Sequence, residues 1–453
     1  MPRLGDRIDA IARSSELGRA ALLLPTALWL ALFVQGGIAI CCDAEAYLAA
    51  IEGHQREGLF HRHPLVGYRS FLFPYFFSWF PLDHTALVFG EVRGYSLAAC
   101  GVFLLAEFGV LRGLRQSRLF WPTYLGFFAN PLLLVYVPYP LQESFLVLAF
   151  VALTPWLLDP ERFKAGWQLP GVAGLFLGIL YMTRPSNIVL AIPVAWLLLA
   201  HLRHLPSAAA RARASGLFIA LAAIVVLPQS AISLRYHDSP LPYSATRALS
   251  FQLSAGEAYA KYSTDLFSRA GAGRPMPSWN PLNCDSATKG QKRKRRTFEC
   301  TRDAPNRREG PGAYAFTALI HVFNALNYDV LKPYVTNRSV PLFSLSQILS
   351  MGVAFLGGFA AFRKLALRTA SGQDVFLLLV AGVTLAVTTI TAAETRFGLL
   401  ATAAFSWFAA ELVLQGRLER KEWVAVGFGL TAFALVSALL SVYVLSLSGT
   451  TSP

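Results

Sequence analysis

Charged residues are scarce in this chain of 453 residues. Asp, Glu, Lys and Arg make up 15% of it, whereas hydrophobic residues make up 55% and aromatic residues 13%. One globular core does not need that much apolar side chain, so the composition argues against a water-soluble protein. Several runs of about 20 apolar residues are long enough to cross about 30 Å of hydrocarbon. The sequence therefore predicts an all-α polytopic membrane protein.

Two further patterns are missing. The apolar stretches do not alternate with period two, as strands of a membrane β-barrel do; 217–227 is apolar on all sides and 423–445 is nearly so. The chain also lacks a phosphate-binding loop and a dinucleotide glycine fingerprint in a strand-turn-helix context. This absence argues against ATP-driven coupling within the chain.

Acidic residues are few, 26 against 40 Lys and Arg, and the formal net charge is +14. The basic residues fall in short clusters between apolar runs, which is the pattern that sets membrane topology. Nucleic acid is therefore not an expected partner, and the lipid bilayer is. With the N-terminus inside, Lys and Arg clusters occupy the predicted inner loops 111–118, 159–168, 201–213, 363–368 and 415–422.

We predict about eleven crossings and a first apolar run that is retained as a helix. The predicted spans lie near 20–40, 85–110, 119–137, 144–158, 170–182, 188–200, 214–233, 341–362, 374–390, 397–413 and 423–446. Residues 1–233 form an N-terminal transmembrane module that includes a first external loop, 41–84. Residues 234–340 form an external segment, and residues 341–453 form the C-terminal transmembrane helices.

Both long external parts carry specific expectations. The stretch 61–81 is too broken by proline for a span and too apolar for a solvated loop, so we expect an interfacial helix that forms one wall of a lipid-facing groove. In the segment 234–340, Cys284 and Cys300 are expected to form a disulfide in an oxidising exterior, worth roughly 3 kcal/mol in the chain-entropy model.

Charged residues at the outer ends of the predicted spans are the candidate functional residues. Asp43 and Glu45 follow the first span, Glu143 opens the fourth, Arg184 follows the fifth, and Glu394 and Arg396 lie between the ninth and tenth. Charges at membrane depth are costly unless they are paired or line a wet cavity. Each also has a structural reading: Asp43 as the cap of a short helix 44–52, Glu143 as a helix-start carboxylate, Arg184 as a snorkelling side chain, Glu394 and Arg396 as an interfacial pair.

Helix geometry limits the role of the first pair. Residues two apart on a helix point about 200° from each other. Asp43 and Glu45 therefore serve one site only if the backbone there is extended or turning.

Other polar residues carry weaker signals. His61 and His63 are a poor metal motif because two ligands alone do not define a site. The basic run 292–296 reads either as a solvated loop or as a contact for an acidic partner or anionic headgroups. Carboxamides and aromatic rings suit sugars, but they equally suit a buried amphipathic helix. The residues of that type before the eighth span are His321, Asn324, Asn327, Tyr328, Asp329 and Tyr334.

The order and sidedness of these motifs resemble the GT-C superfamily of polytopic glycosyltransferases, which use polyprenyl-phosphate-linked sugars. The acidic pair after the first span is matched by Asp43-Ala44-Glu45, the acidic residue of the second external loop by Glu143, and the late Glu-x-Arg-aromatic element by 394–397. The turn 183–185 is also similar to one in relatives. The resemblance covers roughly 20–200 and 370–413; the chain departs from it because Ala44 separates the acids and its soluble part is inserted before the eighth span.

The resemblance implies an inverting transfer of a sugar from a polyprenyl-phosphate donor to a hydroxyl of a glycan, lipid or protein acceptor. The active site would face the exterior or periplasm of an inner (plasma) membrane. Asp43 is expected to act as the base, with Glu45 as a second catalytic carboxylate. The expected substrate-binding residues are Glu143, Arg184, Glu394, Arg396, Tyr47 and His63. The resemblance fixes no cofactor; a divalent cation, held by Asp43 and Glu45, is left open.

Two alternatives remain. A lipid-linked saccharide flippase or transporter would use the same charges to line a path. An O-antigen ligase or polymerase would act at the same face on pyrophosphate-linked donors. Activity with mono- and pyrophosphate-linked donors separates these functions.

Overall fold

The fold is known from a computed structural model. It describes residues 9, 11–35, 43–61, 70–80, 91–159, 168–243, 253, 259–264, 276–279, 311–328, 345–391, 395–415, 418 and 420–446. Within these ranges the side chains of some residues, including Asp43 and Glu45, fall outside the description. The disulfide predicted for Cys284 and Cys300 and the basic run 292–296 lie wholly outside the described residues.

Helices dominate the described chain, which confirms the helical part of the fold prediction. The α-helices are α1 (Glu16–Gln35), α2 (Asp43–Glu57), α3 (Leu72–Ser78), α4 (Glu91–Gly113), α5 (Phe120–Thr123), α6 (Pro131–Leu134), α7 (Gln142–Leu157), α8 (Gln168–Thr183), α9 (Ala191–Arg203), α10 (Ala208–His237), α11 (Pro311–Leu326), α12 (Leu345–Ala366), α13 (Gly372–Thr388), α14 (Leu399–Gln415) and α15 (Arg420–Ser446). A π-helix (Tyr124–Phe128) and two 3₁₀ turns (Pro185–Leu190 and Thr395–Phe397) connect some of them.

Six of the helical segments in the described part are long and apolar enough to cross a membrane, which supports a multi-pass protein. They are Glu16–Gln35, Gly94–Gly113, Pro185–Arg203, Ala208–His237, Leu345–Ala366 and Arg420–Ser441. Helices α7, α8, α13 and α14 are apolar but shorter. The count of about eleven crossings therefore stays a prediction.

The third predicted span, 119–137, is not one continuous α-helix. It consists of α5, the π-helix and α6, and α6 begins after Asn130. The Asn130 side chain accepts a hydrogen bond from the Leu132 backbone N–H at 3.1 Å and so caps α6, whose first residue is Pro131. Asn130 also donates to the Ser406 hydroxyl of α14 at 2.7 Å. Side chain capping and proline at the first helical position start a new helix here, which hydropathy alone does not reveal.

Small residues let the central helices approach closely. A Cβ at Gly174 of α8 would meet the Phe218 carbonyl of α10, and one at Gly357 of α12 would meet the Phe405 carbonyl of α14. Close backbone approach of this kind is how helices pack in a bilayer, where lipid is as apolar as leucine. These contacts bring α8 and α14 into the centre of the bundle, and both lead to the candidate site.

The segment 234–340, predicted to be external, contains an element that was not predicted from the sequence. Strands β1 (Tyr259–Thr264) and β2 (Met276–Trp279) pair as a two-stranded antiparallel ribbon. Within the predicted first external loop, the short helix α3 is present at 72–78, inside the stretch for which an interfacial helix was predicted. Residues 62–69 and 81–90, on either side of the described piece 70–80, lie outside the described part.

Candidate functional site

Glu143 is the centre of the candidate site. It lies in the first turn of α7, and only 1% of its surface is exposed. The carboxylate oxygen Oε1 accepts a hydrogen bond from Arg184 and lies 3.9 Å from Nη1 of Arg396. A buried carboxylate is stable only when it is paired, and the positive end of a helix dipole favours it further. The structure thus brings together three predicted site residues from three distant segments.

The backbone at Arg184 follows from the proline after it. Arg184 has φ −149° and ψ 129°, because Pro185 excludes the α conformation for the preceding residue. Helix α8 therefore stops at Thr183, and a 3₁₀ turn begins at Pro185. Asn187 closes the break by donating to the Leu180 carbonyl at 2.9 Å. The guanidinium group is left at the helix end, where it meets Glu143.

Tyr243, which follows α10 along the chain, holds the end of α8. Its hydroxyl donates to the Met182 carbonyl at 2.8 Å, two residues before Arg184. Burial raises the pKa of Tyr243 well above its usual value, so the hydroxyl remains a donor throughout the physiological pH range. This contact fixes the turn that carries Arg184.

The Phe397 ring supports both arginines. The guanidinium carbon of Arg184 lies 4.2 Å from the ring centroid, and that of Arg396 lies 5.3 Å from it. Cation–π contacts at this range are worth about 0.5–2 kcal/mol. Next to this turn, a Cβ at Gly398 would meet the Ala325 carbonyl of α11, so glycine permits the close approach there. The aromatic residue of the 394–397 element therefore has a definite packing role.

Helix α2 reaches the same site through Tyr47. The Tyr47 hydroxyl donates to Oε1 of Gln142 at 2.8 Å, one residue before Glu143. The Tyr47 ring is buried and packs edge-on against Phe73 of α3, with centroids 5.0 Å apart. Tyr47, predicted to bind substrate, therefore joins α2 to α7.

The backbone is helical from Asp43 onwards, and this separates the two acidic positions. Positions 43 and 45 lie about 200° apart around the axis, whereas positions 43 and 47 share one face. The condition under which Asp43 and Glu45 would serve one site together is not met by this backbone. The helix of the alternative reading is present and longer than expected, running from Asp43 to Glu57.

The first turn of α7 is fixed by a second pair of hydroxyls. Tyr95 of α4 and Ser144 are hydrogen bonded at 2.7 Å. Ser144 donates to the Leu141 carbonyl at 2.8 Å, so Tyr95 is the donor in the first bond. The side chains of α3 surround this turn, and Phe76 lies 5.2 Å from Phe145 between ring centroids. Glu143 is thus presented by a rigid, aromatic-lined helix start.

The remaining predicted residues fall into two groups. Glu394 and His63 lie outside the described residues, as do the side chains of Asp43 and Glu45. Among the side chains that are described, no group of three or more His, Cys, Asp or Glu residues is placed to hold a metal ion. His61 instead pairs with Glu57 at 2.8 Å.

The polar residues before the eighth predicted span form internal contacts. His321 lies 3.2 Å from the Thr389 carbonyl, and Asn327 donates to the Ser441 hydroxyl at 3.2 Å. Gln347 donates to Asn327 at 3.3 Å. His321, Asn324 and Asn327 are all buried, so the reading of a buried helix fits these residues better than that of a sugar pocket.

One buried acid, Glu107, was not among the site residues predicted from the sequence. Glu107 lies inside the span Gly94–Gly113 and is fully buried. The signal was available, since a lone carboxylate within an apolar run is itself unusual. It lies near the opposite end of α4 from the candidate site.

Searches with family models, against curated proteins and against solved structures found no match to this chain.

Proposed function

We propose that this protein is a membrane glycosyltransferase that moves a sugar from a polyprenyl-phosphate donor to an acceptor hydroxyl at the outer face of the membrane. One observation carries the proposal. A buried carboxylate, Glu143, holds the guanidinium group of Arg184 beside that of Arg396, and Tyr47 of α2 is hydrogen bonded to Gln142, the residue before Glu143. Together the three charged groups carry a formal charge of +1, which favours an anion at this site.

The reaction needs a base for the acceptor hydroxyl and positive charge to stabilise the departing phosphate. In an inverting displacement the acceptor oxygen attacks C1 of the sugar while the bond from C1 to the phosphate oxygen breaks. The electron pair leaves with polyprenyl phosphate, and the acceptor proton goes to a carboxylate. Guanidinium groups stabilise the departing phosphate through paired N–H donors.

Roles are assigned from position. We assign the base to Asp43, because position 43 shares a face of α2 with Tyr47, which contacts α7 beside Glu143. Arg396 is assigned to the phosphate, and Arg184 contributes charge while Glu143 holds it in place. Glu45, on the other side of the helix, is assigned no part in proton transfer.

The test offers two donors to the purified full-length protein in detergent. A polyprenyl-phosphate sugar and a polyprenyl-pyrophosphate sugar are supplied separately with a mixed set of hydroxyl acceptors, and the release of polyprenyl phosphate or pyrophosphate is measured. We expect turnover with the monophosphate donor. Turnover only with the pyrophosphate donor would favour a ligase or polymerase. Translocation of the intact donor in proteoliposomes without cleavage would favour a flippase.

Two matched variants on one helix test the base. Asp43→Asn should lower kcat about 10²–10⁴-fold, which is the usual contribution of general base catalysis, and leave the protein folded. Glu52→Gln, at an exposed position of the same helix, should retain wild-type turnover. Wild-type turnover by Asp43→Asn would refute the assignment of the base.

A second pair of variants tests whether Arg396 binds the donor phosphate. Arg396→Gln should raise KM for the donor and reduce kcat, since guanidinium charge is used both in binding and at the leaving phosphate. Arg211→Gln, which is exposed in the first turns of α10, serves as the control for loss of one positive charge. Equal donor KM in the two variants would contradict this role.

A further inference from the structure

Glu107 lies in an apolar environment and has one hydrogen-bond partner among the described residues. It is fully buried in α4, about 9 Å along the helix axis from the end at Gly113. The Thr26 hydroxyl of α1 lies 3.1 Å from its Oε1. The other carboxyl oxygen, Oε2, has no hydrogen-bond partner among the described residues.

Within the described ranges, no basic side chain compensates this acid. In the part of the chain that the structure describes, no Lys, Arg or His lies within ion-pair distance of Glu107, and α1 faces it with the neutral Thr26. From the π-helix, Tyr124 is the titratable neighbour, and its hydroxyl donates to the Leu22 carbonyl at 3.0 Å. An ionised, unpaired carboxylate in such a place is strongly disfavoured.

The hydrogen bonds around Thr26 have room for a proton on the Glu107 carboxyl group. Thr26 is also 3.5 Å from the Phe128 carbonyl, at the end of the π-helix. A hydroxyl has one hydrogen to donate, so Thr26 cannot donate to both the Glu107 carboxylate and that carbonyl. If the carboxyl group carries a proton, the groups line up in one direction: Glu107 donates to Thr26, and Thr26 donates to Phe128.

We propose that Glu107 is a proton-binding site inside the bilayer, occupied at neutral pH, which ends a hydrogen-bonded relay through Thr26 to the Phe128 carbonyl. The relay joins α4 and α1 to the π-helix, and Asn130, two residues further on, is bonded to Ser406 of α14. This site is separate from Glu143 and does not depend on the proposed transferase activity.

The experiment uses an apolar carbodiimide on the purified full chain in detergent, followed by mass spectrometry of peptides. The reagent reacts with a protonated carboxyl: a carboxyl oxygen bonds to the central carbon of the carbodiimide, the proton moves to a carbodiimide nitrogen, and rearrangement gives a stable N-acylurea. The mass increase equals one reagent molecule. At about pH 7 an ordinary glutamic acid, with a pKa of about 4.3, is ionised and inert.

We expect Glu107 to be modified at about pH 7, while Glu411, which is paired with Lys364 at 2.5 Å, is not. Glu107→Gln should remove the modification. Protection of Glu107 by sodium chloride relative to choline chloride would overturn the proposal, because a cation rather than a proton would then occupy the site. Modification at about pH 5 but none at about pH 7 would overturn it too.

If the reagent does not reach Glu107 at any pH, thermal unfolding tests whether its carboxyl group is protonated. If a carboxyl is protonated in the folded protein and ionised in the unfolded protein, the folding equilibrium constant falls about tenfold for each pH unit between the unfolded and the folded pKa. The wild type should therefore fall in Tm relative to Glu107→Gln as the pH rises. A wild type that gains relative to Glu107→Gln, or a difference that does not change with pH, would refute the proposal.

Discussion

The ion pair between Glu143 and Arg184 gives the sharpest stability prediction. Glu143 is 1% exposed and the Arg184 side chain is 10% exposed, so solvent screens the pair only weakly. Breaking a buried pair by removing one partner costs about 3–5 kcal/mol, because the other charge is left uncompensated. Replacing both partners by neutral groups leaves no such charge and costs much less than the sum of the two single changes.

The prediction is a double-mutant cycle. We expect Glu143→Gln and Arg184→Gln to lower the free energy of unfolding by about 3 kcal/mol each, and the double variant by about 3 kcal/mol rather than about 6 kcal/mol. Loss of the Arg184 contact with Phe397 occurs in both the single and the double variant, so it cancels from the coupling energy. Arg396, 3.9 Å from Glu143, remains in Arg184→Gln and limits its loss to the lower end of the range.

The assay is equilibrium unfolding in mixed micelles, followed by tryptophan fluorescence. The pair Arg363 and Glu422, at 3.0 Å, provides a matched control, since its side chains are 31% and 26% exposed. Its cycle should give a coupling of less than about 1 kcal/mol. A coupling between residues 143 and 184 that is no larger than this control would show that burial does not strengthen the pair, and the reasoning would be wrong.

Two further predictions concern packing and pH. Gly357→Ala should destabilise the protein by about 1–3 kcal/mol, because its methyl group would meet the Phe405 carbonyl, whereas Gly358→Ala meets nothing and should be neutral or stabilising through helix propensity; equal melting temperatures for the two variants would contradict this. Burial lowers the pKa of His54, whose Nδ1 lies 2.8 Å from the Gly58 carbonyl. The stability that its neutral form contributes is complete above about pH 6.5 and is lost as the pH falls towards and through the folded pKa. The wild type should therefore lose stability on acidification more steeply than His54→Gln, as measured by Tm, and parallel pH profiles would argue against burial as the cause.

Several local features follow directly from the order of residues. Pro185 predicts that the helix before it ends, and α8 does end at Thr183. Apolar runs of sufficient length predict the long helices, and the helices of the described chain follow those runs closely. The break at 124–131 was not predicted, because hydropathy does not register its local signals, the Asn130 cap and Pro131; the contacts that anchor Asn130, to Gly126 and Ser406, lie on two different elements.

The candidate site was likewise predictable only in part from the sequence. The charges at 143, 184 and 396 could be selected from sequence because charges at the ends of apolar runs are rare and costly. Their grouping could not be derived, since they are separated by 41 and 212 residues along the chain. Tertiary contacts next to these residues help to set their positions, such as the bond from Tyr243 to the Met182 carbonyl and the close approach of Gly398 to Ala325. Glu107 could also have been selected as a lone acid in an apolar run, but that its Oε2 is buried with no hydrogen-bond partner among the described residues is visible only in three dimensions.

The sequence by itself determined that this is a helical membrane protein with a small set of unusual polar residues, because hydropathy and proline act locally along the chain. Only the tertiary structure decided which of those residues meet. It paired Glu143 with Arg184 beside Arg396, joined Tyr47 to Gln142, and turned the polar residues of α11 inward. The physical reason is that an ion pair or a hydrogen bond depends on distances of about 3 Å, which the packing of distant helices sets.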